Sequence, residues 1–251
     1  MPYSEEKKRA IIDAKYPLAA KYDPEWQLEN EMGSPCLWLA EGLVRKVDLK
    51  PGMRVLDMGC GKALTSIFLA QEFGVQVFAT DLSVPASENW NRICEAGMEK
   101  LVVPIQAEAH QLPYADGFFD AAVSINAYQF FGTTDTYFND YFGRLVKPGG
   151  QIGLALPGLY QEFEDLVPSY LETHWRADFY NWHSFDWWER HFRRCGSVEI
   201  ALVDDFDGKG NAIMMKWEPI PDRMQLVRTD KGRNLSWVRV VLHKKGQADG
   251  L

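Results

Sequence analysis

Cysteine is scarce in this chain: four residues among 251, at Cys36, Cys60, Cys94 and Cys195. No two form a CxxC pair and no histidine stands at zinc-ligand spacing, which argues against a disulfide framework and against a bound metal. There is no run of 18 apolar residues, so no membrane-spanning helix is expected. The opening stretch MPYSEEKKRAIIDAKY is followed by no apolar block of signal-peptide length. Basic residues are outnumbered, 27 against 35 acidic ones, for a net charge of −8. That balance disfavours non-specific binding to nucleic acid or to an anionic membrane surface. Internal repeats and long Pro/Gly/Ser linkers are missing too, so residues 1–251 are expected to form one domain in a reduced, cytoplasmic setting.

What is present fits a globular protein, with 46% hydrophobic and 25% charged residues, and the length is enough to bury a sizeable core. Residues 1–50 are charged and aromatic and suggest a helical cap. Residues 51–156 alternate short apolar runs with amphipathic stretches. Residues 157–251 are rich in tryptophan and acid.

The middle section is the most readable. Pro51-Gly52 signals a turn, and Arg54–Met58 suits a buried strand. After Gly59-Cys60-Gly61, residues Leu64, Ile67, Phe68 and Phe73 fall at helical spacing up to a terminating Gly74. Further strands are expected at Val75–Thr80, Leu101–Ile105, Asp120–Ile125 and, after the Lys147–Gly150 turn, Gln151–Leu156. Helices are expected from an N-cap at Ser83 through Trp90 and Ile93, and over Tyr137–Val146. Strands alternating with helices at this spacing predict an α/β, doubly wound, mostly parallel sheet. Beyond Leu156, Gln161–Leu171 and Asp186–Arg194 read as helices, the second capped by Ser184. Val198–Val203 and Leu235–Leu242 read as strands, and Asp207–Asn234 has no clean period.

In an open α/β sheet, ligands bind beyond the carboxyl ends of the strands. Asp57-x-Gly59-x-Gly61 lies at such an end, and its glycines permit a sharp turn with close approach to a ligand. Twenty residues after Gly61, Asp81 ends the second strand, where a carboxylate can hold both hydroxyls of a ribose. A nucleoside-containing ligand is implied. It is not a dinucleotide, because Leu64 stands where the helix would need a third small residue. A phosphate-gripping loop fails as well, since Ala63 follows Lys62.

At these residues the chain resembles the class I S-adenosylmethionine-dependent methyltransferases. VLDMGCG is similar to their first motif, ATDLS to their second-strand acidic motif, AEAHQLPYADGFFDAAVSINAYQFF to the stretch entering the fourth strand, and RLVKPGGQIGL to the turn into the fifth. The likeness spans roughly residues 33–156 and is nearest to small-molecule enzymes of quinone biosynthesis and of sterol or phosphoethanolamine methylation. It implies a seven-stranded sheet with an N-terminal helical lid and a helical insertion after the fifth strand. By the same resemblance, Gly59 and Gly61 pass under the cofactor, Asp57 lies near the methionine ammonium and Asp81 holds the ribose. Leu82 packs on adenine, Glu108 and Ala109 contact the ring edge, and Asn126 sits beside the sulfonium. Ala63 replaces a frequent third glycine, and Lys62 stands where it could pair with the cofactor carboxylate.

The expected reaction is methyl transfer from S-adenosyl-L-methionine to a small-molecule acceptor, leaving S-adenosyl-L-homocysteine. Alternatives are a cyclopropane-type synthase acting on lipid alkenes and a non-catalytic cofactor-binding protein. Trp175, Trp182, Trp187 and Trp188 place four of nine tryptophans within fourteen residues. Trp187 and Trp188 read as the buried face of a helix. Trp175, Tyr180 and Trp182 read as the lining of an acceptor pocket, because aromatic faces suit a sulfonium cation, and Tyr16, Tyr22 and Trp26 as a lid over it. Where a general base is needed, His174, His183 and Tyr128 are the candidates. His110, His191 and His243 read as surface or structural residues, and Cys60 as a small space-filler.

Overall fold

The architecture comes from a computed structural model, which describes residues 3–216 and 221–246. Strands β1 (Arg54–Met58), β2 (Gln76–Asp81), β3 (Val102–Gln106), β4 (Phe119–Ile125) and β5 (Val146–Leu159) lie parallel. The two-residue β6 (His183–Ser184) adds to β5, and β7 (Val198–Asp204) and β8 (Leu235–Lys244) complete the sheet. Its order is β3-β2-β1-β4-β5-β8-β7, with β8 antiparallel to both neighbours. Seven long strands, mostly parallel and wound both ways from β1, match the expected class.

Helices cover both faces: α1 (Glu5–Ala10), α2 (Pro24–Asn30), α3 (Cys36–Val44), α4 (Leu64–Phe73), α5 (Ala86–Glu95), α6 (Ser169–Glu172), α7 (Phe185–Cys195), α8 (Gly210–Met214) and α9 (Pro221–Asp230). Strand alternation divides the core. Val55 and Val123 face the layer of Leu39, Leu43, Ile67 and Phe68, while Leu56 and Ala122 face Phe119, Phe138, Phe142 and Trp188. Both faces being covered explains why β1, β4 and β5 read as nearly continuous apolar runs.

Four local expectations are corrected. The helix expected at Gln161–Leu171 is only Ser169–Glu172, since Pro168 sets its start and Glu162 is drawn away to accept from the Ser184 amide at 2.5 Å. Tyr137–Val146 is a wide turn over Phe138–Phe142 followed by a tight one, Gly143–Leu145. The Phe138 ring lies where a Cβ on residue 143 would sit, which distorts the ladder while Phe138, Phe142 and Leu145 still face inward. Ser83 caps nothing; α5 starts after Pro85, and the Ser83 amide donates instead to Asp81. The stretch 207–234, read without structure, contains α8 and α9; residues 217–220 of it lie outside the described residues. By contrast, Ser184 does cap α7, accepting from the Trp187 amide.

The N-terminal segment is fastened to the sheet by Arg239 of β8. Its guanidinium, 1% exposed, donates to both oxygens of Asp204, at 2.8 and 2.5 Å, and to the Gly42 carbonyl of α3 at 2.8 Å. Removing one partner of such a buried pair leaves the other charge uncompensated. Arg239→Ala is expected to lower unfolding stability by about 3 kcal/mol, read as a shift in the urea midpoint; a change below 1 kcal/mol would show that the Arg239 network contributes little.

His191 on α7 is fully buried, stacked on Trp187, and its burial pushes its pKa down from 6.5 to about 4. The folded state therefore binds no proton here over a range where the unfolded chain does. Stability from this residue is complete above pH 6.5 and is lost as pH falls toward 4. Going from pH 7 to pH 5, the wild type should lose about 2 kcal/mol relative to His191→Phe. Parallel urea melts at the two pH values check this, and an unchanged difference would refute it.

Candidate active site

The carboxyl ends of β1, β2 and β4 open onto a cleft of about 470 Å³. Its floor is the turn after β1. The Gly59 and Cys60 amides both donate to the Thr80 carbonyl of β2, at 2.8 and 3.1 Å, drawing the turn down over the strand ends. Gly59 has φ +74°, and a Cβ there would stand 2.2 Å from that of Ala127. Gly61 has φ +54°, with Met32 Sδ 2.8 Å from where its Cβ would lie. A side chain at either position would close the cleft. Ala63 takes the left-handed conformation (φ 60°) without being glycine, at a cost of about 1 kcal/mol. Asn126, at the end of β4, is left-handed as well (φ 58°), and its side chain donates to Ser34 Oγ at 3.3 Å.

Asp81 holds this floor together. Its Oδ2 accepts from the Gly61 amide at 2.8 Å, and its Oδ1 from the amides of Ser83 and Val84 at 2.8 and 3.0 Å. Asp57 lies beneath. Strand alternation turns its side chain the same way as Val55, toward α4, where Thr65 and Ser66 each donate to Oδ2 at 2.6 Å. Its Oδ1 is buried without a partner, and burial raises the carboxyl to about pH 6. Along the upper wall, exposed Leu82 faces Glu108, Ala109 and His110. Glu108 accepts from the backbone amide of His110 and contacts its Nδ1, both at 2.8 Å, which holds its pKa below the usual carboxylate value. The remaining wall is Asn30, Met32 and Cys36 on one side and Phe130 and Phe131 on the other.

Residues 55–150 match the model of the methyltransferase domain family. The chain is 30% identical over 118 residues to the methyltransferase GfsG of Streptomyces halstedii, covering 47% of this chain and 42% of that one. It is 28% identical over 151 residues to a demethylmenaquinone methyltransferase of Corynebacterium kroppenstedtii, covering 59% and 60%. The matches thus span less than two thirds of these relatives. Among solved structures, a geranyl diphosphate C-methyltransferase of Streptomyces coelicolor A3(2) superposes with TM-score 0.72 at 15% identity, over 96% of this chain and 85% of that one. The [4+2]-cyclase SpnF superposes at 0.67 and 19% identity, over 83% and 81%. Residues 55–150 thus carry a methyltransferase domain match, and the fold is shared with methyltransferases of known structure.

Of the residues that the resemblance places at the cofactor, the structure gathers Gly59, Gly61, Lys62, Asp81, Leu82, Glu108, Ala109 and Asn126 around one cleft. It differs from the expected positions in several ways. Asp57 is fully buried and lies beneath the cleft rather than on its surface. Lys62 Nζ donates to the Glu29 carbonyl at 2.7 Å, so its charge is tied to the N-terminal segment. Tyr16 stacks on Trp38, and Tyr22 on Trp26 and against Phe68; none of these three lines the cleft. Trp175, Tyr180 and Trp182 gather with Phe163 and Phe179 around a separate hollow of about 130 Å³. The expected acceptor lining and lid are therefore not at the cleft, because these rings pack on one another and on α4. Of the candidate bases, Tyr128 is fully buried, His183 stacks on Trp187 and meets Glu162, and His174 follows α6; none reaches the cleft.

Cleft residues that sequence reasoning missed include Asn30, Met32, Cys36, Phe130, Phe131 and, in this role, His110. A usable signal existed for the phenylalanines, which follow directly on the end of β4.

Each carboxylate oxygen offers about two acceptor sites, so Oδ1 of Asp81 is filled and Oδ2 retains room for one hydroxyl. Docking a second hydroxyl requires Ser83 and Val84 to release Oδ1. Asp81→Ala should weaken S-adenosylhomocysteine binding by roughly 30- to 1000-fold, or about 2–4 kcal/mol. It should also lower stability by about 1–2 kcal/mol, because three amides lose their acceptor. Titration calorimetry with a urea melt separates the two; an affinity change under threefold would remove Asp81 from the binding site.

Proposed function

We propose that this protein transfers a methyl group from S-adenosylmethionine to a small-molecule acceptor. The observation that carries the reading is the joining of the glycine turn and the Asp81 carboxylate at one cleft, where Asp81 Oδ2 accepts from the Gly61 amide and keeps room for a ribose hydroxyl. The residues fit the cofactor in three respects. The Gly59–Gly61 turn leaves a cradle that any Cβ would fill. The buried Asp57, with an orphaned oxygen and a raised pKa, is a group that a cationic ligand in the cleft above would stabilise as a carboxylate. Phe130 and Phe131 give the cleft aromatic faces, which attract a sulfonium.

When bound, S-adenosylmethionine supplies an electrophilic methyl with a neutral sulfur leaving group. The chain's own contribution is to align the acceptor with that methyl, which alone can be worth several kcal/mol, roughly 7 or more in well-oriented systems. Asp81 and the floor amides orient, while Met32, Phe130 and Phe131 exclude water. Among relatives, the phosphoethanolamine N-methyltransferase 1 of Zea mays and a sterol 24-C-methyltransferase of Yarrowia lipolytica act on quite different acceptors; a small, uncharged-to-cationic metabolite in a reduced cytoplasm is part of the proposal. A second reading, catalysis without methyl transfer, draws support from the fold it shares with the cyclase SpnF.

S-Adenosylhomocysteine at about 100 times its dissociation constant should add roughly 2.7 kcal/mol of stability, a rise in Tm of about 5–10 °C for a chain of this size. NAD should give none. A shift with NAD and none with S-adenosylhomocysteine would overturn the cofactor assignment. Transfer of a labelled methyl to any of a panel of phenols, amines and carboxylates separates the two readings.

A further inference from the structure

The tryptophan-rich segment that follows β5 does not reach the cofactor cleft, and the hollow it builds has a chemistry of its own. About 130 Å³ lies between the end of β5, at Leu159, and the turns that run up to Trp182. Five aromatic rings bound it: Phe163, Trp175, Phe179, Tyr180 and Trp182. Phe163, Phe179, Tyr180 and Trp182 stand at 67°, 83°, 75° and 69° to Trp175, with centroids 5.5, 5.7, 6.0 and 6.1 Å from it. Rings set at such angles make walls around a space, whereas parallel rings would close on one another. Phe179 and Trp182, both buried, form the base, and Tyr180, 66% exposed, forms the rim.

Two carboxyls share this wall, Glu162 and Asp165, and among the described residues no lysine or arginine lines it. Burial works against the charge of Glu162, but its contacts with His183 and the Ser184 amide outweigh that and keep the carboxyl below its usual range. Arg176 lines a neighbouring hollow instead, beside Glu172, and pairs with Asp178 at 3.5 Å. Ring faces carry negative potential, so rings and carboxyls together call for a cation. A bare ammonium needs acceptors for three N–H bonds, which ring faces do not supply. An alkylated ammonium has its charge spread over methyl groups and few or no N–H bonds to satisfy, and aromatic walls suit it. The size agrees: at about 30 Å³ per water in the liquid, the hollow holds roughly four heavy atoms, the count of one nitrogen and three methyls.

We propose that this aromatic hollow is a binding site for a methylated ammonium cation, walled by Phe163, Trp175, Tyr180 and Trp182 and facing the carboxyls of Glu162 and Asp165. It has no lining residue in common with the cofactor cleft, so the cation is bound here and not methylated here. The site therefore stands whether or not the methyltransferase reading does. It also gives the tryptophans and tyrosine of this segment a ligand, although they line no part of the cleft.

The test uses the full chain, with choline as the probe and 3,3-dimethylbutan-1-ol, its uncharged counterpart of the same shape, as the control. The methyl proton signal of each is followed by NMR as protein is added. Choline is expected to bind roughly fivefold more tightly than the alcohol, the factor that about 1 kcal/mol of cation–π attraction gives. Tyr180→Ala removes an exposed wall without opening the core, and should weaken choline roughly fivefold while narrowing its advantage over the alcohol. Asp165→Asn, also at an exposed position, should weaken choline by roughly twofold and leave the alcohol unchanged. In both variants the affinity for S-adenosylhomocysteine should stay within about twofold, because the two sites are apart. Equal binding of choline and the alcohol would reduce the hollow to an apolar gap and overturn the proposal. Absence of saturable choline binding overturns it too, as does choline binding that ignores Tyr180→Ala, which would place the cation elsewhere on the molecule.

Discussion

The hydrogen bond from the Gly61 amide to Asp81 Oδ2, 2.8 Å long, is the constraint on which the cleft depends. It adds a side-chain tie between the turn after β1 and the end of β2, beyond the Gly59 and Cys60 amides that donate to the Thr80 carbonyl. The same carboxylate draws in the Ser83 and Val84 amides, so one side chain shapes the floor and the upper wall together. The charge at its centre is thus surrounded by oriented N–H groups. Such preorganised donors lose little on binding, since they are already in place before a ligand arrives.

Asp57 works against this economy. Thr65 and Ser66 satisfy one of its oxygens, but the other is buried unpaired and the carboxyl is raised to about 6. A carboxyl raised in the folded state lets that state bind a proton that the unfolded chain does not, so its penalty is present at neutral pH and fades as pH falls through 6. This runs opposite in sign to His191, whose penalty grows as the medium becomes acidic. Two buried groups on different faces of the sheet therefore oppose one another between pH 6 and 4. Glu31 is a second buried carboxyl held above the usual range, and the charges of Glu31 and Asp57 both add to the burial that raises the Cys36 thiol.

Much of the sheet was legible because parallel strands covered on both faces leave unbroken apolar runs, as Val55-Leu56 and Ala121-Ala122-Val123 do. The Asp57, Gly59, Gly61 and Asp81 spacing was legible because backbone geometry demands it at those positions. Side-chain direction was the weak point. Asp57 sits at the right place in the motif but turns toward α4, which follows from its parity with Val55 rather than from its chemistry. The aromatic residues misled for a related reason. Tyr16, Tyr22, Trp26 and Trp175 are rich in π surface, yet that surface is spent on other rings and on Phe68. Nothing in local composition distinguishes a ring that lines a cleft from one that packs in a cluster. Met32 and Cys36 escaped notice because they come to the cleft through a loop, whose path is set by contacts far away in sequence.

Those contacts have a kinetic consequence. The bond from Arg239 to the Gly42 carbonyl closes a loop of 197 residues, and α3 follows directly on residues 30–36, which wall one side of the cleft. During synthesis the chain emerges from its amino end, so the glycine turn and Asp81 can pair early, while the N-terminal wall has no anchor until β8 is made. Long loops are slow to close. The floor of the cleft is then the first part of the site to take shape, and the wall built from residues 30–36 the last.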